Sequence, residues 1–467
     1  MRSLSRLRIT VIAILLLVMV AGITFFGLTK TSVHAAGASI GCFPHVGPPF
    51  DVCQARGSGY GLNETVNVYF DTKLNATTTT DSTGSFKVVV HVPRNATPGT
   101  HTITGVGQTS GLTASNQYIV QTNWVMFGYN AQGSHWNPYE NVISSANVSG
   151  LKLGWSHATG NSITSSPAVN RDIIYVGSQD GKLYSISAKG TVLWSYTTGG
   201  PIYSSPDVHY GTVYVGSDDM NLYAIDINTH LLKWEYTTGG AIRSAPTVAG
   251  SNVYVTSEDG KVYALNALSG KLQWSFTTGG PITSSPAVSS STLYVGSNDN
   301  NVYALDTTTG TVKWQFPTGN SVSASPSIAN GTVYIGSQDG TFYALDAVAG
   351  TIKWSYTTGA AITSSAAVEK TLVVVGSQDN KVYSFDASTG KLNWSYTTGN
   401  QILSSPTIAD GVAYVGSQDN TLYAFGALNG TLKWSYATGG AVTSSPAVAD
   451  GVVYVGSSDT KLYAFHF

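Results

Sequence analysis

The run TGNSVSASPSIANGTVYIGSQDGTFYALDAVAGTIKWSYT, residues 318–357, returns in slightly altered form along the C-terminal three-quarters of the chain. Its tryptophan recurs at Trp194, Trp234, Trp274, Trp314, Trp354, Trp394 and Trp434, 40 residues apart each time, and Trp155 lies 39 residues before the first. A fixed period near 40 marks a repeat architecture, in which one small unit cannot bury its apolar face alone and stacks on its neighbours.

Each unit reads as four short strands. In the quoted run the last three are 332–337, 341–346 and 351–356, and the first is the Ser-Ser-Pro segment, as at 282–288. Valine, isoleucine, tyrosine and tryptophan dominate these runs, and turn residues bound them. The pairs Asp180-Gly181, Asp259-Gly260, Asp299-Asn300, Asp339-Gly340, Asp379-Asn380 and Asp419-Asn420 predict two-residue hairpin turns between the second and third strands. Four-stranded antiparallel units repeated in this way describe an all-β fold, the β-propeller. The eight tryptophans sit on the outermost strand and are expected to dock blade on blade. A buried indole takes about 150–250 Å² out of water, worth at most roughly 4–6 kcal/mol.

Counting closes the ring. Ser-Ser-Pro-type segments begin at Ser165, Ser204, Ser244, Ser284, Ala324, Ser364, Ser404 and Ser444. The last unit stops at Phe467 after three strands, and the unpaired run LKLGWSH, 151–157, supplies its fourth. Residues 151–467 are therefore expected to form eight blades, closed by strand 151–157 pairing with the last.

Before the propeller the period is lost. Arg2, Arg6 and Arg8 precede an apolar run, 9–28, followed by Val33-His34-Ala35. This predicts a secretory signal over residues 1–35, with an uncleaved anchor at 9–28 as the alternative. Cleavage removes four cations and leaves 19 basic against 25 acidic residues. No basic patch stands out, which disfavours nucleic acid and anionic lipid as partners. Outside the cytoplasm the two cysteines, Cys42 and Cys53, are expected to pair. Residues 41–122 carry short β-rich runs with turn signals between them, which predicts a small β-sandwich. Residues 123–150 are read as a linker.

Two resemblances follow from particular stretches. GSGYGLNETVNVYFD (57–71) with DSTGSFKVVVHVPRNATPGTHTI (81–103) resembles Ig-like modules of bacterial surface proteins, which implies a spacer or adhesion unit. ISSANVSGLKLGW (143–155), YALDAVAGTIKW (343–354) and YSFDASTGKLNW (383–394) are similar to the PQQ repeats of quinoprotein alcohol dehydrogenases. The same repeat builds the propeller lipoprotein of the outer-membrane barrel-assembly machinery, a scaffold without a cofactor. The resemblance thus implies the propeller and leaves two functions open, since fold alone does not fix activity.

The residues argue against chemistry. The quinoprotein enzymes hold pyrroloquinoline quinone and calcium near the axis, with adjacent cysteines and dedicated acidic ligands. This chain has no adjacent cysteines and almost no insertions in its repeats. The acids Asp180, Asp219, Asp259, Asp299, Asp339, Asp379, Asp419 and Asp459 recur in every blade, which points to turn geometry rather than to one site. No histidine cluster, nucleophile elbow or phosphate loop is present. Neither cofactor nor metal is expected.

In so regular an array, the residues that leave the pattern carry the information. At the start of the first strand Tyr203 and Arg243 replace the usual Thr or Ser, in adjacent blades. In the neighbouring upper turns Met220 replaces Gly or Asn, and Glu258 replaces Gln or Asn. Gln401 and Leu403 depart on the same face in blade seven. These six form the candidate binding face. Divergence among duplicated repeats is the alternative, and His209, Tyr210 and His230 on the opposite face of blade two favour it. The sequence is best read as an exported, non-catalytic protein that recognises a protein or glycan. A quinone-dependent dehydrogenase and a surface adhesin or wall-glycan binder are the rivals.

Overall fold

The computed structural model describes residues 37–467; the expected signal or anchor, 1–35, lies outside them. No described helix is long and apolar enough to cross a membrane.

Two sheets share one core at the N-terminal end. Three strands, Ser39–Phe43, Val52–Ser58 and Phe86–His91, face five, which include Thr65–Phe70, Gly99–Gly107 and Thr113–Val120. Ile40, Ala55 and Val90 from the first sheet pack with Val66, Phe70, Ile103 and Tyr118 from the second. The Cys42–Cys53 disulfide is formed, tying the first two strands together.

Eight sheets with a common plan follow. A three-residue inner strand, such as Thr247–Ala249, pairs with Asn252–Thr256, then Lys261–Asn266, then the tryptophan strand Leu272–Thr277. In blade eight the outer strand comes from before the repeats: Lys152–Ala158 pairs antiparallel with Lys461–His466. The inner strands touch in succession and the last touches the first.

The inner strand is shorter than the Ser-Ser-Pro segment suggested: Ala287–Ser289 in place of 282–288. Proline has no N–H to give a ladder, and the serines have other work. The first serine caps its own blade, as when Ser284 Oγ accepts the Gly296 N–H at 3.1 Å. The second serine ties blade to blade. Ser405 N–H donates to Ser445 Oγ and Ser445 N–H to Ser166 Oγ, both at 2.9 Å, across the point where the ring closes. Seven of eight such links form; the eighth would need a hydroxyl at Ala245.

The outer tie is the tryptophan. Trp354 Nε1 donates to Ala387 O of the next blade at 2.9 Å, and Trp234, Trp274, Trp314 and Trp394 repeat this contact. Trp155 reaches Ala188 of blade one, and Trp434 reaches Leu151 ahead of the closing strand. A turn glycine lies beneath six of the rings, where a side chain would not fit: at Gly390, with φ near 70°, a Cβ would lie 2.6 Å from the Trp354 ring. Blade two has His230 there instead, stacked on Trp194 with centroids 5.1 Å apart.

The turns between second and third strands differ from the two-residue type expected. Ser178 and Lys182 close a three-residue loop, and only its last residue, Gly181, has positive φ. That is a turn followed by one left-handed residue, which suits Gly or Asn. Blade eight places Thr460 there at φ 76°. A β-branched residue is strained in this region by about 1–3 kcal/mol. Thr460→Asn is expected to stabilise the protein by about 1 kcal/mol in urea unfolding; an unchanged midpoint would mean the loop relaxes around threonine.

The two-sheet domain meets the end of the propeller that carries the turns between first and second strands. Thr122 Oγ1 accepts the Asp450 N–H at 2.7 Å, and Asn141 Nδ2 donates to Ala96 O at 2.8 Å. Burial, with Asp172 and Glu140 nearby, pushes the Asp450 carboxyl up to about 7. Its folded pKa therefore lies above its unfolded value. The folded state holds a proton that the unfolded chain has released, so stability falls as pH rises from about 4 to about 7. Asp450→Asn should raise the melting temperature at pH 8 and leave it unchanged at pH 3.5. An equal effect at both values would assign it to packing.

Candidate functional site

Eight inner strands about an axis leave eight edges whose backbone N–H groups need partners. Residues 124–137, within the stretch expected only to link, supply most of them. Trp124 and Val169 exchange both backbone bonds, at 2.7 and 2.9 Å. Val208, Val288, Ile328, Val368 and Ile408 then donate to the carbonyls of Val125, Ala131, Gln132, Ser134 and His135 at 2.6–2.9 Å. Trp136–Asn137 adds a fifth, parallel strand to blade seven, and Asn137 Nδ2 donates to Val448 O. At blade three, where the segment loops away over 126–130, the buried Asp207 carboxylate accepts the Val248 N–H at 2.7 Å, and His209 holds that carboxylate. The lower half of the channel is thus filled by the chain itself. Nothing periodic marks this segment; the signal available in the sequence was the need of eight inner edges for partners.

The upper end carries the turns between second and third strands and the links from one blade to the next. All eight repeat aspartates are consumed there in one identical way. Asp379, for example, accepts the Gly359 N–H at 2.8 Å, the Tyr383 hydroxyl at 2.6 Å and the Lys381 N–H at 3.0 Å. Among the described residues no three His, Cys, Asp or Glu side chains are placed to hold a metal ion.

Around the mouth, blades one, five and six pair a turn glutamine with a hydroxyl ahead of the inner strand: Gln179 with Thr164, Gln338 with Ser323 and Gln378 with Thr363, at 3.2–3.4 Å. Blades two and three replace this neutral pair with a charged cluster. Arg243 donates through Nε and Nη2 to both oxygens of Asp218 at 2.9 and 3.0 Å, and its Nη1 lies 3.2 Å from Glu258. The guanidinium also sits 4.9 Å from the centroid of the Tyr203 ring. The hydrogen bonds that Arg243 donates to Asp218 push the Arg243 pKa up, against the smaller effect of burial.

Three of the sequence candidates, Tyr203, Arg243 and Glu258, therefore meet. Asp218 belongs with them and was missed, although aligning it with Gln179 and Gln378 shows the departure. Met220 is exposed on the adjoining turn, and Gln401 and Leu403 lie four blades away across the mouth. The upper turns and strand starts carry ten carboxylates against five cations (Arg243, Lys182, Lys261, Lys381 and Lys461), a net charge of −5.

Comparison with known proteins bears on the fold. The family model described as the β-propeller of beta-alanine-activating enzyme matches residues 208–412, and that described as outer membrane protein assembly factor BamB matches 359–466. No curated protein matches the chain. Among solved structures, BamB from Moraxella catarrhalis is 20% identical over 68% of this chain and all of its own, with a TM-score of 0.60. Quinohemoprotein alcohol dehydrogenase from Comamonas testosteroni is 17% identical over 74% of this chain and 80% of its own, with a TM-score of 0.65. The computationally designed protein Ika8 is 18% identical over 66% of this chain and 98% of its own, at 0.61. The chain carries a β-propeller, similar in fold to both the assembly factor and the quinoprotein alcohol dehydrogenases.

Proposed function

We propose that this is an exported, non-catalytic recognition protein that receives a protein or glycan partner at the upper mouth of its propeller, with the two-sheet domain as its stalk. The observation that carries this reading is the Tyr203–Asp218–Arg243–Glu258 cluster. It is a preformed charged and aromatic device on an otherwise repetitive, insertion-free face. Exposed ion pairs contribute only about 0–1 kcal/mol to stability, so a role in folding does not account for it. The disulfide and the likeness to BamB support a place outside the cytoplasm.

The rival is a quinone-dependent dehydrogenase, and the residues do not fit its cofactor. Pyrroloquinoline quinone is a tricarboxylate, whereas the mouth is net acidic and its arginine is already committed to two carboxylates. Calcium takes about six to eight oxygen ligands, and the repeat aspartates are each engaged by three protein donors.

Two measurements test the reading. Titration with pyrroloquinoline quinone and calcium, followed by dye-linked oxidation of alcohols and sugars, is expected to show neither stoichiometric binding nor turnover; both together would overturn it. A photo-crosslinker at Thr283 on the mouth should capture the partner on living cells, and one at Ser290 on the opposite face should not. Arg243→Thr combined with Glu258→Gln should reduce that capture at least tenfold. Equal capture from both faces, or capture indifferent to the double variant, would move recognition elsewhere. A glycan array then separates a wall-glycan binder from a protein scaffold.

A further inference from the structure

Where the axial segment meets the serine belt, a small cavity remains. Its volume is about 10 Å³, the scale of one water molecule. Phe127, Gly133 and His135 line it from below, and Ser285 and Ser325 from the wall. His135 is 1% exposed, and neither ring nitrogen has a hydrogen-bond partner in the protein. One of its faces is closed by Phe127, packed edge-on at 4.7 Å. A neutral imidazole needs an acceptor for one nitrogen and a donor for the other. Ser285 and Ser325 each accept a backbone N–H from the neighbouring blade, and neither hydroxyl proton has an acceptor of its own in the protein.

We propose that this cavity is a built water site, in which one ordered water joins His135 of the axial segment to the hydroxyls of Ser285 and Ser325. A water with two to four polar partners can accept both serine hydroxyl protons and donate to the unprotonated ring nitrogen of His135, and a buried group left unpaired would be costly. An anion suits the donors but not the charge. No cation lines the cavity, burial pushes the His135 pKa down to about 3 so that the ring stays neutral, and the face above is net acidic. The water therefore pins the segment to the belt and closes the channel floor at blades four and five.

The test is a high-resolution crystal structure of the whole protein with and without a bromide soak, together with hydrogen exchange at the Ile328 and Val368 amides that the segment caps. One water peak within hydrogen-bond reach of His135 and at least one serine hydroxyl is expected, with no anomalous bromide signal. His135→Phe, which keeps the ring and removes both nitrogens, should lose the water and speed exchange at those amides about tenfold. Ser285→Ala with Ser325→Ala lies outside the segment and should do the same, which keeps the test open if His135→Phe does not fold. A dry cavity, an imidazole bonded directly to protein oxygen, or a bromide at the site would each overturn the proposal.

Discussion

A propeller must satisfy the inner edges of its blades. Each inner strand has one neighbour within its sheet, so its other edge faces the axis with backbone N–H groups exposed. In this protein the chain fills that need from its own sequence: carbonyls from residues 124–137 at blades one, two and four to seven, the Asp207 carboxylate at blade three, and an asparagine amide at the blade eight carbonyl. The Asp207–His209 pair, which looks like scatter in an alignment of repeats, stands where the axial segment swings away. It substitutes a side chain for a missing backbone carbonyl.

The same accounting separates structural acids from functional ones. A residue repeated in all eight blades does one job eight times, and the repeat aspartates fasten the turn and the link from the preceding blade. Three protein donors on each leave at most about one free lone pair per carboxylate, too few to build a ligand shell on the axis. Functional asymmetry must then come from departures, and an ionic cluster that replaces a neutral glutamine–hydroxyl pair in two adjacent blades is such a departure. Its cost is the ordering of long side chains. Its effect is a guanidinium held in a fixed orientation by two carboxylates and an aromatic ring.

Much of the fold was legible because the period is a consequence of geometry. Forty residues make an inner strand of three residues and three strands of five or six with their turns, and tryptophan marks the strand that meets the next blade. The pairing of strand 152–158 with the last unit could be read from a missing element alone. The length of the inner strand could not, because serine and proline look equally compatible with a strand until their bonds to neighbouring blades are known. The turn type was misread for a related reason: Asp-Gly and Asp-Asn serve both two- and three-residue loops, and the flanking serine that closes the longer one carries no distinctive signal. The axial segment was illegible because it is aperiodic, and its partners are backbone groups 45 to 311 residues away in the chain.

The two ends of the propeller consequently have different prospects. The lower end is occupied by the axial segment and by the bonds of Thr122 with Asp450 and of Asn141 with Ala96, so a ligand there would have to displace bonds that hold the segment and the N-terminal domain in place. The upper end keeps short, glycine-rich links and its charged sector free of such duties. Quinoprotein dehydrogenases share this fold, but a redox site on the axis needs room for the cofactor and acids released from structural work. Here the chain takes the lower half of the channel and the repeat aspartates are engaged. The partner proposed for the rim would require neither, and the charged departures of blades two and three lie there.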